Sequence, residues 1–289
     1  MAREVEVLSL RSRVARTLLS AYALAIYLFL FFPIVLLVLF SFNANRYGTF
    51  PITGWTLDWY RQAFNDYQVH DAVSTTLRVG LQVTLISTFV GTAAAFPLVR
   101  SNLPFREGIR IVFILPIMIP GLLIGVSLLV LFTSTFHWQL STETAVIGQA
   151  VYTTPFVILV VAARLQGFDR ALERAAADLG ANSLQRLWRI VFPLILPAVI
   201  AGALFAFTLS LDEFIITYFL IGGHNTLPIF IYTQVKFGIT PEVNALASML
   251  LAASLLLLAL AFALPLLVRR GRRAARRRGQ QRRGAEAVA

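Results

Sequence analysis

Residues 18–40 read LLSAYALAIYLFLFFPIVLLVLF, from Leu18 to Phe40. No side chain in this stretch is ionised, and its apolar residues run continuously instead of alternating. A continuous apolar run of this length reads as a helix built to lie in hydrocarbon. Only helices or closed barrels can cross lipid, because each backbone N–H and C=O must find its partner inside the segment or sheet.

The pattern recurs along the chain. Stretches without Asp, Glu, Lys or Arg lie between Arg16 and Arg46, Arg78 and Arg100, Arg110 and Glu143, Glu143 and Arg164, Arg189 and Asp212, and Glu242 and Arg269. Each encloses about 20 residues or more, the length that ~30 Å of hydrocarbon demands of a helix rising about 1.5 Å per residue. Across 289 residues, 58% are hydrophobic and only 13% charged, where a soluble domain carries roughly 25% charged residues. The sequence therefore predicts an all-α membrane protein with six transmembrane helices, near residues 18–40, 77–99, 111–132, 145–163, 194–221 and 245–268. These form one transmembrane domain over 1–268, followed by a basic tail over 269–289 expected to be disordered. The first run is too long for a signal peptide and reads as the first span. There is no cysteine, which excludes disulfides and thiolate metal sites.

The net charge of +11 invites a nucleic-acid reading, which its distribution argues against. With six spans, one side collects Arg3, Arg11, Arg13 and Arg16, then Arg100, Arg106 and Arg110, then Arg164, Arg170, Arg174, Arg186 and Arg189, and finally the arginines of the tail. The other side holds Arg46, Arg61, Arg78 and Lys236. Short loops rich in Lys and Arg stay in the cytoplasm, so both termini are expected there. The tail reads as a stop-transfer anchor on anionic membrane lipid, with no nucleic-acid partner. Trp55, Trp59 and Tyr60, on the other side, read as interfacial belt residues. Pro116, Pro120, Gly121 and Gly125 predict a kinked, closely packed third span, and Gly91, Ala93, Ala94 and Ala95 a small-residue face on the second.

The inner loop between the fourth and fifth spans carries the most information. From Gly167 it reads GFDRALERAAADLGANSLQRLWRIVFPLILP. Asp169 suits an N-cap. Leu172, Ala175, Ala176 and Leu179 fall at i, i+3, i+4 and i+7 on one helical face, with Glu173, Arg174 and Asp178 largely elsewhere. Gly180 is placed to end this helix in a left-handed C-cap, and Asn182 with Gln185 marks a second start. Such a helix could rest on lipid, or it could seat in the groove of a partner.

This loop resembles the EAA motif of ABC importer permeases: Glu-Ala-Ala, three residues, Gly, nine residues, Ile, one residue, Leu-Pro. Ala175, Ala176, Gly180, Ile190 and Pro193 stand at that spacing. Arg174 stands where the family has Glu, with Glu173 one place earlier and about 100° round the helix. Phe192 stands for Leu. The resemblance implies a cytoplasmic coupling helix, with Leu172, Glu173, Arg174, Ala175, Ala176, Asp178, Leu179 and Gly180 docking on an ATP-binding subunit. The chain has no GxxxxGK[ST] loop for phosphate; its one lysine, Lys236, lies in VKFG. It is thus no ATPase itself, and ATP with Mg belongs on partner subunits. A membrane enzyme would need a catalytic constellation such as HExxH or GxSxG, and neither occurs.

Asp212 and Glu213 sit together at the end of an apolar run. Carboxylates at membrane depth usually face a cavity or a partner, so they are either a cation-attracting step or structural. The downstream sequence is similar to the second permease of spermidine/putrescine-type importers through Ser210-Leu211-Asp212-Glu213, Leu227-Pro228, Ile231-Tyr232, Gly238, Pro241 and Asn244-Ala245, with Trp55 and Trp59-Tyr60 upstream. Over most of the chain this likeness implies a bacterial inner-membrane protein. It implies a heterodimer with a homologous permease, two ATP-binding subunits and an extracytoplasmic substrate-binding protein. It implies a polyamine substrate, with related permeases moving ferric iron, thiamine or phosphonates. Ammonium groups need carboxylates and aromatic faces; Asp212, Glu213, Tyr218, Phe219 and Tyr232 are the candidates for a substrate path. A secondary transporter, the remaining alternative, needs no docking loop.

Overall fold

The computed structural model describes residues 2–45, 50–100, 105–167, 169, 171–238, 241–256 and 259. The basic tail over 269–289 and the last part of the expected sixth span lie outside the described residues. Among those described, the protein is helical and contains no strand; one isolated bridge joins Asn43 and Trp55. The helices are α1 Ala2–Ser41, α2 Asp58–Asn65, α3 Tyr67–Arg100, α4 Arg106–Met118, α5 Gly121–Val130, α6 Thr142–Gln166, α7 Ala171–Asp178, α8 Ser183–Arg186, α9 Phe192–Asp212, α10 Ile215–Leu220 and α11 Leu227–Phe237, then α12 Pro241–Leu256. Four are long and apolar enough to cross a membrane: Ala15–Ser41, Tyr67–Arg100, Thr142–Gln166 and Ser183–Asp212. The bent pair α4–α5 makes a fifth if it is one span. The chain is a multi-pass membrane protein by this measure.

The described chain divides into two units, Met1–Asp66 with Thr233–Leu251, and Tyr67–Tyr232 with Ala252–Ala289. In the first unit, the most apolar window of α1, within Ala15–Ser41, has none of its residues buried. Its end is held by the following loop. The Trp59 indole donates to the Asn43 carbonyl at 2.8 Å, and the Tyr60 and Ser41 hydroxyls hydrogen-bond at 2.6 Å. The side-chain carbonyl of Asn43, itself fully buried, accepts from the backbone N–H of Asn45 and Thr53. Trp59 and Tyr60 are therefore spent on closing a turn, whereas Trp55 remains 66% exposed. Trp59 and Tyr60 are partly exposed.

The second unit is built on α3, α6 and α9, which pack on one another. Ala95, Val157, Val161, Leu165, Val191, Ile195 and Ala206 make its core. Val157 of α6 is the pivot. A Cβ on Gly91 of α3 would lie 2.7 Å from the Val157 Cβ, and one on Gly202 of α9 would lie 3.2 Å from its Cγ1. Without a hydrophobic drive between helices in lipid, close backbone approach at small residues supplies the packing energy. Ser87 and Thr153 add a buried hydroxyl pair at 2.6 Å between α3 and α6. A second core joins α5, α6, α10 and α11 through Ile124, Phe132, Ala145, Ile216, Leu220, Ile221 and Ile229.

Two expected single segments are broken. The third, over 111–132, turns by 103° between α4 and α5. Ile119 and Pro120 are both extended there, with ψ of 128° and 133°. A proline pushes the residue before it out of the α region, and Pro120 then starts α5 with no N–H to lose. What reads as a kink is thus a right-angle corner. The fifth, over 194–221, ends at Asp212, passes through extended Glu213 and resumes as α10. At its other end it begins earlier than Leu194, because α8 runs through a wider π-turn at Leu187–Val191 directly into α9.

Candidate functional site

The loop after α6 folds by local rules. Asp169 Oδ1 accepts from the Ala171 N–H at 2.8 Å, capping α7. At the other end Gly180 has φ of +85°. Its N–H donates to the Ala177 carbonyl and that of Ala181 to the Ala176 carbonyl, at 2.9 and 3.0 Å. These two bonds form a Schellman motif, which satisfies carbonyls that the helix end leaves open. Asn182 and Gln185 then exchange side chain-to-backbone bonds at 2.8 and 3.0 Å, a capping box that starts α8. Both turns fall where the sequence puts them.

No residue of α7 is buried. Leu172 is 51% and Leu179 89% exposed, and Leu184 and Trp188 beyond them are exposed too. An apolar i, i+7 face with no intramolecular cover is suited to a partner surface. One side chain of α7 turns the other way. Glu173 forms an ion pair with Arg100, the last residue of α3, each side chain about one-fifth exposed. The Arg100 guanidinium also lies over the Phe96 ring, 6.0 Å from its centre. Sequence reasoning missed Arg100, since nothing local to it signals a partner far along the chain. Arg174, one residue on, points into an open cavity of about 420 Å³ lined by Arg100, Glu173, Arg174 and Arg186. Asp178 is exposed.

The α9–α10 break brings together the other candidates. Glu213 turns back on its own chain: Oε1 accepts from the Ile216 N–H, and Oε2 from the Thr217 N–H, both at 2.9 Å. The Thr217 hydroxyl donates to Oε2 at 2.7 Å. Both carboxylate oxygens are thereby used as an N-terminal cap of α10. The fully buried Gln149 of α6 extends this network. Its Nε2 donates to Thr217 Oγ1 at 2.6 Å, and its Oε1 accepts from the Ser210 hydroxyl. A buried amide costs several kcal/mol if unpaired in an apolar medium; here both of its ends are paired. Gln149 and Thr217 were not among the sequence candidates, although a Gln inside an apolar span is the signal that finds them.

Asp212 is exposed. Tyr218 and Tyr232 meet at 5.9 Å between ring centres, and Phe214 closes the triangle at 5.5 and 4.8 Å. Phe219 abuts Tyr218 at 5.7 Å. Tyr218 and Tyr232 are 48% and 44% exposed. The break thus exposes an aromatic cluster close in sequence to a carboxylate that is not consumed as a cap, a combination that can hold a cation.

Comparison with known proteins follows this geometry. Residues 87–276 match the family described as binding-protein-dependent transport system inner membrane component. The chain is 36% identical over 233 residues to the putrescine transport system permease protein PotI of Escherichia coli K12, covering 78% of this chain and 82% of that protein. It is 36% identical over 248 residues to the spermidine/putrescine transport system permease protein PotC of the same strain, covering 84% and 92%. Its fold resembles a chain of a bacterial ABC transporter involved in the import of the acidic polysaccharide alginate, with a TM-score of 0.70 at 16% identity, over 88% of this chain and 95% of that one. The chain belongs to the family of binding-protein-dependent transport system inner membrane components.

Proposed function

We propose that this chain is the membrane-spanning permease subunit of an ATP-driven importer of polyamines in a bacterial inner membrane. The observation that carries the importer reading is α7: a short helix capped at both ends, its apolar face uncovered and its one inward carboxylate tied to the end of α3. In this reading α7 is a cytoplasmic coupling helix. Leu172, Ala175, Ala176 and Leu179 seat in an ATP-binding subunit, Gly180 sets the turn, and Glu173 transmits the displacement to α3. Two such subunits hold ATP and Mg. A homologous permease completes the heterodimer, and an extracytoplasmic binding protein delivers the substrate. Six spans place both termini in the cytoplasm, with α12 as the described part of the sixth and the basic tail on anionic lipid.

The polyamine reading is supported by the names of the relatives and by the exposed Tyr218 and Tyr232, packed on Phe214 two residues after Asp212 in sequence. Asp212 attracts the ammonium groups and the rings supply cation–π contact; Glu213 shapes the break instead of binding. The test is uptake by the complex reconstituted with its genomic neighbours, against a panel of putrescine, spermidine, thiamine, ferric iron and phosphonates. ATP-dependent uptake of polyamines alone supports the reading. Uptake of another solute would replace the substrate, and uptake without any retained ATPase would indicate a secondary transporter.

A further inference from the structure

The cavity under α7 has a net charge that its own residues leave uncompensated. Among the described residues Arg100, Arg174 and Arg186 line it, with Glu173 as the single carboxylate, and Glu173 is engaged by Arg100. Among them Arg186 reaches only a neutral acceptor, Ser183 Oγ at 3.1 Å, and its Nε has no acceptor. Among the described residues no carboxylate pairs with Arg174 or Arg186. Two guanidinium forks therefore face about 420 Å³ of open space. A buried donor with no acceptor costs about 1–3 kcal/mol, so an acceptor brought to Arg186 Nε is favoured there.

We propose that this cavity receives an acidic side chain of the ATP-binding subunit, held by Arg174 and Arg186. Planar guanidinium groups match a carboxylate bidentately. The family pattern has Glu at position 174, so Arg174 inverts the sign of a docking surface, and charge complementarity then requires an acid on the facing subunit. A protein occupant is favoured over a lipid phosphate because the cavity lies against α7, the helix that the importer reading seats in that subunit, with its apolar residues uncovered. The inference rests on the importer reading and extends it to the chemistry of the contact.

The test uses the complex co-expressed with its ATP-binding subunit. The chain has one lysine, Lys236, so Arg174→Lys or Arg186→Lys introduces an amine at the cavity against a low background. A carbodiimide joins an amine to a carboxylate in direct contact. The expected result with either variant is a permease–ATPase cross-link from the introduced amine to an Asp or Glu of the ATPase, identified by its peptides, lost at high salt and distinct from any wild-type adduct of the loop carboxylates. Arg174→Glu with Arg186→Glu lowers the retained ATPase about tenfold or more while membrane levels of the permease hold. No such cross-link while the ATPase still co-purifies overturns the inference alone. An effect of the double variant seen only in anionic-lipid nanodiscs, again without that cross-link, assigns the cavity to a lipid phosphate and overturns it too. A wild type that retains no ATPase overturns the importer reading together with this one.

Discussion

Arg100, at the end of α3, and Glu173, in the first turn of α7, form an ion pair that joins the longest helix of the second unit to one with no buried residue. Their side chains are only about one-fifth exposed, so removing one partner strands the other. Arg100→Gln or Glu173→Gln is expected to weaken the attachment of α7 by about 1–3 kcal/mol. The readout is substrate-stimulated ATP hydrolysis by the complex, which falls relative to basal hydrolysis. The exchange Arg100→Glu with Glu173→Arg recovers part of the stimulation; no recovery would mean the pair acts through something other than their mutual attraction.

At Gly180 the backbone is left-handed, and no atom stands within 4 Å of where a Cβ would be. The penalty of a side chain is thus conformational, about 1–2 kcal/mol. Gly180→Ala and Gly180→Leu should reduce the co-purified ATPase to a similar extent, and Gly180→Asn less, since Asn tolerates this region. If Leu were far worse than Ala, a steric contact with the partner would be indicated instead.

The adjacent carboxylates separate by role. Glu213→Ala removes acceptors from two backbone N–H groups and is expected to cost about 1–2 kcal/mol, seen as a lower melting temperature in detergent. Asp212→Asn leaves the melting temperature unchanged and reduces cationic uptake. Equal effects of both substitutions on stability would make Asp212 structural.

Tyr218 and Tyr232 offer ring faces, not hydroxyls, in this scheme. Tyr218→Phe should keep uptake near wild type, whereas Tyr218→Leu should raise the half-saturating polyamine concentration several-fold, the scale of a partly solvated cation–π contact of about 1 kcal/mol. Loss of uptake in the Phe variant would shift the role to the hydroxyl.

Gly91 has no slack: its Cβ would stand 2.7 Å from that of buried Val157. Gly91→Ala should lower thermal stability by about 1–3 kcal/mol, while Gly108→Ala, with nothing within 4 Å, should be neutral or slightly favourable.

Much of this molecule is legible in local sequence. Charge-free runs mark the long helices, and the Asp169, Gly180 and Asn182–Gln185 signals each act within four residues, so they can be read without a fold. The misread features are those where a distant or competing partner decides. FIITYFLI looks like a continuation of α9, yet Glu213 prefers to cap a new helix with both oxygens. Pro116 and Pro120 announce a disturbance, but its 103° magnitude depends on what α5 packs against. Arg100 could be found only through the three-dimensional path that returns α7 to it.

The seating of Val157 between Gly91 and Gly202 has a mechanical meaning. A crossing with so little free volume resists sliding, and α3, α6 and α9 then tilt together. With 34 residues, α3 is about 50 Å long at ~1.5 Å per residue, and Gly91 lies roughly a quarter of the way from its Arg100 end. The crossing is then a fulcrum near one end of a lever. Were α3 to pivot there as one rigid rod, a small displacement delivered at Arg100 would emerge about three times larger at Tyr67, in the opposite direction.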